Sequence, residues 1–179
     1  MPPTFRIDDR TFKDLILYVS ARLQDDPSFG ETKLNKALFF SDFEAYRLLG
    51  APITGAQYQR NLYGPTARIF TILRDQMVRD EEIATETQVI AGYNQTVIKP
   101  LIEPTTDFTQ PQREIIDAVI EQLRRFTNKQ VSDESHERAA GWRAMDQGET
   151  IPYSSAIIDP TPLSEGQHQT LRRLVGLAA

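Results

Sequence analysis

Apolar side chains recur along residues 12–23 as Phe12, Leu15, Ile16, Val19 and Leu23, an i, i+3, i+4, i+7, i+11 spacing that predicts one helical stripe. The segment DDPSFGET that follows holds Pro27 and Gly30, which end that helix, and Thr32, whose side-chain oxygen is placed to cap the next. A second helix is predicted from Lys33 to Leu49. Its apolar face is Leu34, Ala37, Leu38, Ser41, Ala45 and Leu48, and Phe39, Phe40, Phe43 and Tyr46 widen it beyond one surface contact. That breadth predicts a central helix buried on more than one side, ended by Gly50 at positive φ.

Residues 51–65 lack helical spacing and predict an irregular connection with one or two short extended pieces. A third helix is predicted from Pro65 or Thr66, with Ile69, Ile72, Leu73 and Met77 inward and proline in the first turn, where its missing N–H goes unused. IATETQVIA at 83–91 alternates β-branched and polar positions, and QTVIKPLIE repeats the style after GYN. The pair predicts a β-hairpin turning at Gly92 to Asn94, with Pro100 at a sheet edge or strand end. Thr109-Gln110-Pro111-Gln112 is a capping box opening the clearest amphipathic pattern, Ile115, Ile116, Val119, Ile120, Leu123 and Phe126. Another helix is predicted from Ser132, with Asp133 and Glu134 at its positive end. A last one follows Ser164-x-x-Gln167, over about residues 164–176, with Leu171, Leu174 and Val175. The sum is an α+β fold, mainly α-helical, of about six helices around one core with a small antiparallel hairpin or sheet.

The chain has 179 residues, 40% hydrophobic and 25% charged, spread without repeats or low-complexity tracts. Those totals predict a single domain over 1–179, with its core at about 12–158. A formal charge of −5 and a pI near 5.1 disfavour binding to a phosphate backbone. The absence of cysteine excludes disulfides, thiolate metal sites and cysteine nucleophiles, and no basic and apolar leader precedes the first polar residues. The longest apolar runs are far below the roughly 20 residues that span a bilayer. A cytoplasmic protein without membrane contact is the expectation.

Candidate chemistry is sparse. His136, with Ser132 four residues earlier, is the one place for a nucleophile and base, but no G-x-S-x-G turn holds a serine, and a packing or capping histidine is the simpler reading. His168 stands alone, and neither a metal-ligand motif nor a nucleotide-binding glycine pattern occurs. No cofactor is expected. Lys33, Lys36, Arg60 and Arg68 beside Tyr58 and Tyr63 have the makings of a basic, base-stacking patch. The acidic total favours a solvated helix edge with lysine stems laid over apolar surface. Trp142, the sole tryptophan, reads as a core or sub-core residue. By residue chemistry alone a binding protein is favoured over an enzyme.

Several short patterns, taken in order, carry a resemblance. KLNKALFFSDFEAYRLLGAPITG, then YQRNLYGPTARIF, a helix opened near FTQPQREIIDAVI, and VSDESHERAAGWRAMDQGETIPYSSA together resemble the Panacea domain, the family of SocA-type antitoxins and phage-associated relatives. The specific pieces are Lys33-Leu34-Asn35-Lys36, Tyr63-Gly64-Pro65, and Ser135-His136 followed by Trp142 and Ile151-Pro152-Tyr153; Lys33, Leu34, Lys36, Gly64, Pro65, Ser135, His136 and Trp142 are read as structural landmarks. The resemblance implies a mainly helical, non-enzymatic antitoxin that neutralises a cognate toxin, encoded by the adjacent gene, through direct contact. In at least one branch it also implies delivery of the toxin to a cytoplasmic ATP-dependent protease. Segment 51–65 and the hairpin are expected to form the toxin surface, with Tyr58, Arg60 and Tyr63 as contacts. The final GLAA is similar to bacterial degradation tags, although a frayed apolar end is the preferred reading. A DNA-binding or phage-associated regulator is the alternative function, and a small hydrolase using His136 the third.

Overall fold

The computed structural model describes residues 5–90, 92–127, 130, 133 and 140–157. Helix α1 (Asp9–Leu23) is capped by Asp8, whose carboxylate accepts from the Thr11 N–H at 2.9 Å. Its predicted stripe, Phe12 to Leu23, is fully buried. Helix α2 (Glu31–Leu49) is buried without interruption from Lys33 to Phe43, so it is the central element the pattern predicts. Two details differ. Gly30 is the N-cap and makes no side-chain cap bond; Thr32 lies in the first turn, and its hydroxyl donates to Gln95 Oε1 at 3.3 Å. Leu48 is exposed, because the elements covering α2 stop before its last turn. Gly50 ends the helix at φ 81°, its N–H bonded to the Tyr46 carbonyl at 2.9 Å.

Strands β1 (Tyr58–Asn61) and β2 (Gly64–Ala67) form an antiparallel hairpin, and β5 (Thr150–Ile151) joins the other side of β1. Pro65 therefore starts no helix. It lies on an edge strand opposite Arg60, and Arg60 turns its own N–H and carbonyl the other way, to Glu149 O at 2.9 Å and Gly148 N at 2.8 Å. The Arg60–Pro65 pair is thus one whose backbone groups point away from each other, the place where a missing N–H leaves no ladder bond unmade. Helix α3 (Phe70–Arg79) begins after β2 and buries Phe70, Leu73 and Met77, which turns Ile72 out to solvent rather than inward.

Strands β3 (Ile83–Ile90) and β4 (Tyr93–Pro100) form the predicted hairpin, paired from Ile90↔Tyr93 to Ile83↔Pro100. Tyr93 and Asn94 belong to the strand, so the turn is tighter than predicted, and Pro100 closes the strand end. Helix α4 (Gln110–Arg124) carries the capping box: the Gln112 N–H donates to the Thr109 hydroxyl at 3.4 Å, and the Thr109 N–H to Gln112 Oε1 at 2.9 Å. A short helix α5 (Ala140–Ala144) and a 3-10 turn (Tyr153–Ile157) follow.

The fold is α+β with two small antiparallel sheets and, among the described residues, five α-helices instead of about six. The helix predicted from Ser132 lies outside the described residues except at Asp133, which is helical, as does the whole of 164–176 with His168 and the final GLAA. The buried apolar side chains of α1, α2, α3, α4 and both hairpins join one cluster, with α2 through its middle.

Candidate functional site: the β1–β2 tip and its buried supports

The turn between β1 and β2 is Leu62–Tyr63, 66% and 74% exposed. Two-residue hairpin turns usually take positive φ inside the turn. Among the described residues Glu81 is the one non-glycine with positive φ, so Leu62 and Tyr63 keep negative values and the reversal falls on Gly64 at φ 108°. A side chain at Gly64 would be strained.

Lys36 sits beneath this turn, only 2% exposed, and its Nζ donates to the Tyr63 carbonyl at 2.5 Å. Burial, with no carboxylate to offset it, pulls the lysine pKa from its ordinary 10.5 to about 7. The neighbouring base of β1 is held from the opposite side. The Arg60 guanidinium lies 4.5 Å from the Trp142 ring centroid and donates to the Met145 carbonyl, while Trp142 Nε1 donates to Asn61 O at 3.3 Å. Helix α5 can come this close because of Gly141: a Cβ there would stand 2.2 Å from Ser155 Oγ and 2.8 Å from Ile151 Cγ2.

Deeper inside, the Asp42 carboxylate is fully buried and accepts from Thr54 N at 2.7 Å, Thr54 Oγ1 at 2.5 Å and Tyr58 OH at 2.8 Å. Tyr153 places its single phenolic proton on the Ala56 carbonyl at 2.6 Å. Burial raises the Asp42 pKa against the lowering effect of Thr54 and Tyr58. It also pushes the Tyr58 phenol well above its usual 10, with the Asp42 charge adding to the effect. Phe39 and Phe43 meet the Tyr58 ring edge-on at 5.4 and 5.8 Å. Aromatic rings pack against these titratable groups, and their hydrogen bonds tie α2 to the segment leading into β1.

At the start of α2 the Lys33 ammonium is fully buried and donates to Asp26 Oδ2 at 2.6 Å, Ser28 Oγ at 2.6 Å and Phe126 O at 2.7 Å. Burial works to raise the Asp26 pKa, yet the bonds from Lys33 and Ser28 hold it below the usual carboxylate value. Lys33 and Lys36 are therefore interior, not a solvated helix edge, because each ammonium finds backbone or side-chain oxygens inside. With both withdrawn and Arg60 stacked on Trp142, the basic patch with Tyr58 and Tyr63 does not assemble; Arg68 stays at the surface, 3.2 Å from Thr150 Oγ1.

Of the three residues expected to meet a partner, Tyr63 is exposed, Arg60 is half-buried, and Tyr58 is inside at 1% exposure. Leu34 is buried, and Gly64, Pro65 and Trp142 serve the hairpin as described. Ser135 and His136 lie outside the described residues. Asp26, Asp42 and Thr54 were not anticipated, and Tyr153 was singled out only as part of the Ile151-Pro152-Tyr153 landmark, without its hydrogen bond to Ala56. Asp42 had a signal in sequence, an acidic residue amid Phe39, Phe40 and Phe43 on a helix whose aromatic positions widen its apolar face. Among the described residues no three His, Asp or Glu side chains are grouped to hold a metal ion.

A family model described as antitoxin SocA-like, Panacea domain, matches residues 34–143, more than half of the chain. The chain belongs to the Panacea domain family. The matched span of the Panacea domain contains Lys36, Asp42, Tyr58, the Leu62–Tyr63 tip, Arg60 and Trp142, whereas Lys33 and Tyr153 flank it. No curated protein and no solved structure gives a significant match. Panacea membership supports an antitoxin-type, non-enzymatic role with a protein partner. No helix among the described residues is long and apolar enough to cross a membrane.

Proposed function

We propose that this Panacea domain neutralises a cognate toxin, the product of the adjacent gene, by direct binding, and that the Leu62–Tyr63 tip is part of the contact. The family match carries the reading. Support for the tip is physical. A stable interface buries about 1,200 to 2,000 Å² around a few aromatic anchors, and Tyr63 is an exposed aromatic on a turn braced by Lys36. The far end of the β3–β4 hairpin, with Val89 and Tyr93 exposed, is proposed as the second part of the surface. Tyr58 and Arg60 then act by holding the strand beneath the tip rather than by touching the toxin. Delivery of the bound toxin to a cytoplasmic ATP-dependent protease is the remaining part of the proposal.

The test is co-expression in cells. The neighbouring gene product alone should arrest growth, and this chain should restore growth and co-purify with it. A harmless neighbour ends the antitoxin reading. Joint Leu62→Asp and Tyr63→Ala substitution should weaken the purified complex at least tenfold, while Tyr58→Phe, a buried change, leaves affinity within about twofold; unaltered binding by the tip variant rejects the tip. In the same cells a toxin half-life that does not shorten when this chain is present rules out delivery.

A further inference from the structure

The β3–β4 hairpin is a sheet of two strands, so each strand has an outer edge. Which backbone groups face outward follows from the pairing. The Leu101 N–H bonds to the Glu82 carbonyl at 2.9 Å, and the register continues from there through Ile83↔Pro100 to Ile90↔Tyr93. Bonded and non-bonded pairs alternate along an antiparallel ladder, so Ala84, Glu86, Gln88 and Ile90 bond to β4, while Thr85, Thr87 and Val89 turn their N–H and carbonyl groups away from it. Pro100, which has no N–H, falls in a non-bonded pair, as that alternation requires.

The two edges differ. On β4 the edge is closed from Thr96 onward: the start of α2 stands against it, a Cβ at Gly30 lying 3.5 Å from the Thr96 carbonyl oxygen, Ile98 is buried and Pro100 ends the strand. On β3 Thr85, Glu86, Thr87 and Val89 are exposed. Among the described residues nothing bonds to the outward backbone groups of Thr85, Thr87 and Val89. This edge has neither proline nor bulge, and its one charged side chain, Glu86, is paired with Lys99 across the hairpin. It therefore lacks the features that keep an edge strand from pairing with another chain.

We propose that β3 pairs antiparallel with β3 of a second copy of the chain, about a two-fold axis at Thr87, to make one four-stranded sheet. A two-fold axis sets the same strand against itself, running the opposite way. Hydrogen bonds form only where outward-facing residues meet, and the exposed run 85–89 is matched over most of its length only with the centre at Glu86, Thr87 or Gln88. Charge chooses among these. A centre at Glu86 sets two carboxylates face to face, and one at Gln88 sets each carboxylate opposite Ile90. The centre at Thr87 sets Glu86 opposite Gln88, an acceptor facing an amide donor, at both ends of the pair. It also uses all the bare positions: Thr85 meets Val89, Thr87 meets itself, and each such pair exchanges two backbone hydrogen bonds. Val89, 73% exposed in the single chain, then lies beside Thr85 of the other copy, on the face where α3 and the hairpin border a groove of about 440 Å³ that includes Val78. Of the residues proposed to meet a toxin only Val89 is shared, and the inference does not rest on that reading.

So short a strand contact is small beside the roughly 1,200 Å² of a stable interface, so the purified full chain should exchange between monomer and dimer at about 10–500 µM. The chain has no cysteine, so single introduced cysteines report the register. Directly opposed residues of a bonded pair have Cα atoms about 5.5 Å apart, within disulfide range, whereas the two copies of Thr85 would stand more than roughly 13 Å apart. Under mild oxidation Thr87→Cys should form linked dimers at least tenfold faster than Thr85→Cys. In sedimentation equilibrium Gln88→Glu, which opposes two carboxylates, should weaken the dimer about fivefold, and Gln88→Lys should tighten it about threefold. Thr87→Pro removes an N–H that β4 does not use and should abolish the dimer. A chain that stays monomeric through that range, Thr87→Cys linking no faster than Thr85→Cys, charge changes at position 88 that leave association unaltered, or linkage at position 87 that appears only with an added toxin would each overturn the proposal.

Discussion

A lysine ammonium carries three donors, and at position 36 the protein offers it one carbonyl, that of Tyr63. Burying such a group costs free energy while it is charged, which is why its pKa falls to about 7. The sign of the stability effect follows from proton counts. Below pH 7 Lys36 is protonated in both folded and unfolded chains, and the full burial cost is present. From pH 7 towards the unfolded value of about 10.4 the unfolded chain holds the extra proton, so stability rises with pH. Above pH 10 the raised pKa of Tyr58 acts the other way, because the unfolded phenol loses its proton first. Between pH 7.5 and 9.5 the wild type should gain roughly 2 kcal/mol in urea unfolding relative to a Lys36→Met variant over the same interval. Parallel pH profiles would show that Lys36 does not titrate in that window.

Among the elements, α4 separates what local chemistry contributes from what packing contributes. Thr109→Ala removes one arm of an exposed capping box and should lower stability by about 1 kcal/mol, whereas Ile116→Ala, at a fully buried position, should cost about 2–5 kcal/mol. Thermal or urea unfolding of the two variants checks the order, and equal losses would refute it. The same division decides what could be read from the sequence. The stripes of α1 and α4 were legible because every apolar position in them faces the core, and the β3–β4 hairpin because its alternation runs through both strands. Pro65 was not, since proline suits the first turn of a helix and an edge strand equally. What settles its place is that Arg60 bonds to Gly148 and Glu149, contacts that no local pattern contains. Leu48 continued the stripe of α2 in sequence, but the elements that cover that stripe do not extend so far.

On the scale of the whole molecule, Lys33 ties three separate segments together: the α1–α2 connection through Asp26 and Ser28, the start of α2 itself, and the end of α4 through Phe126 O. Its acceptors lie 7, 5 and 93 residues away in the chain. Lysine is normally a surface residue, so a sequence pattern alone assigns it to solvent; for Asp42 the flanking phenylalanines signal burial but not its donors, which come from Thr54 and Tyr58. Removing Asp26 strands the Lys33 charge inside. Asp26→Ala should therefore cost about 3–5 kcal/mol, with the loss visible in urea unfolding at neutral pH. A loss below about 1 kcal/mol would mean that water reaches the ammonium and that the link is weaker than its geometry.

The bond from Lys36 to residue 63 has one more consequence. It grips a carbonyl oxygen, a group that every amino acid carries, and the conformational demand of the turn is met one residue later by Gly64. Neither requirement concerns the side chains at positions 62 and 63. Those two positions are therefore interchangeable from the standpoint of the scaffold, so recognition can be rewritten at the tip while the frame that displays it stays as it is.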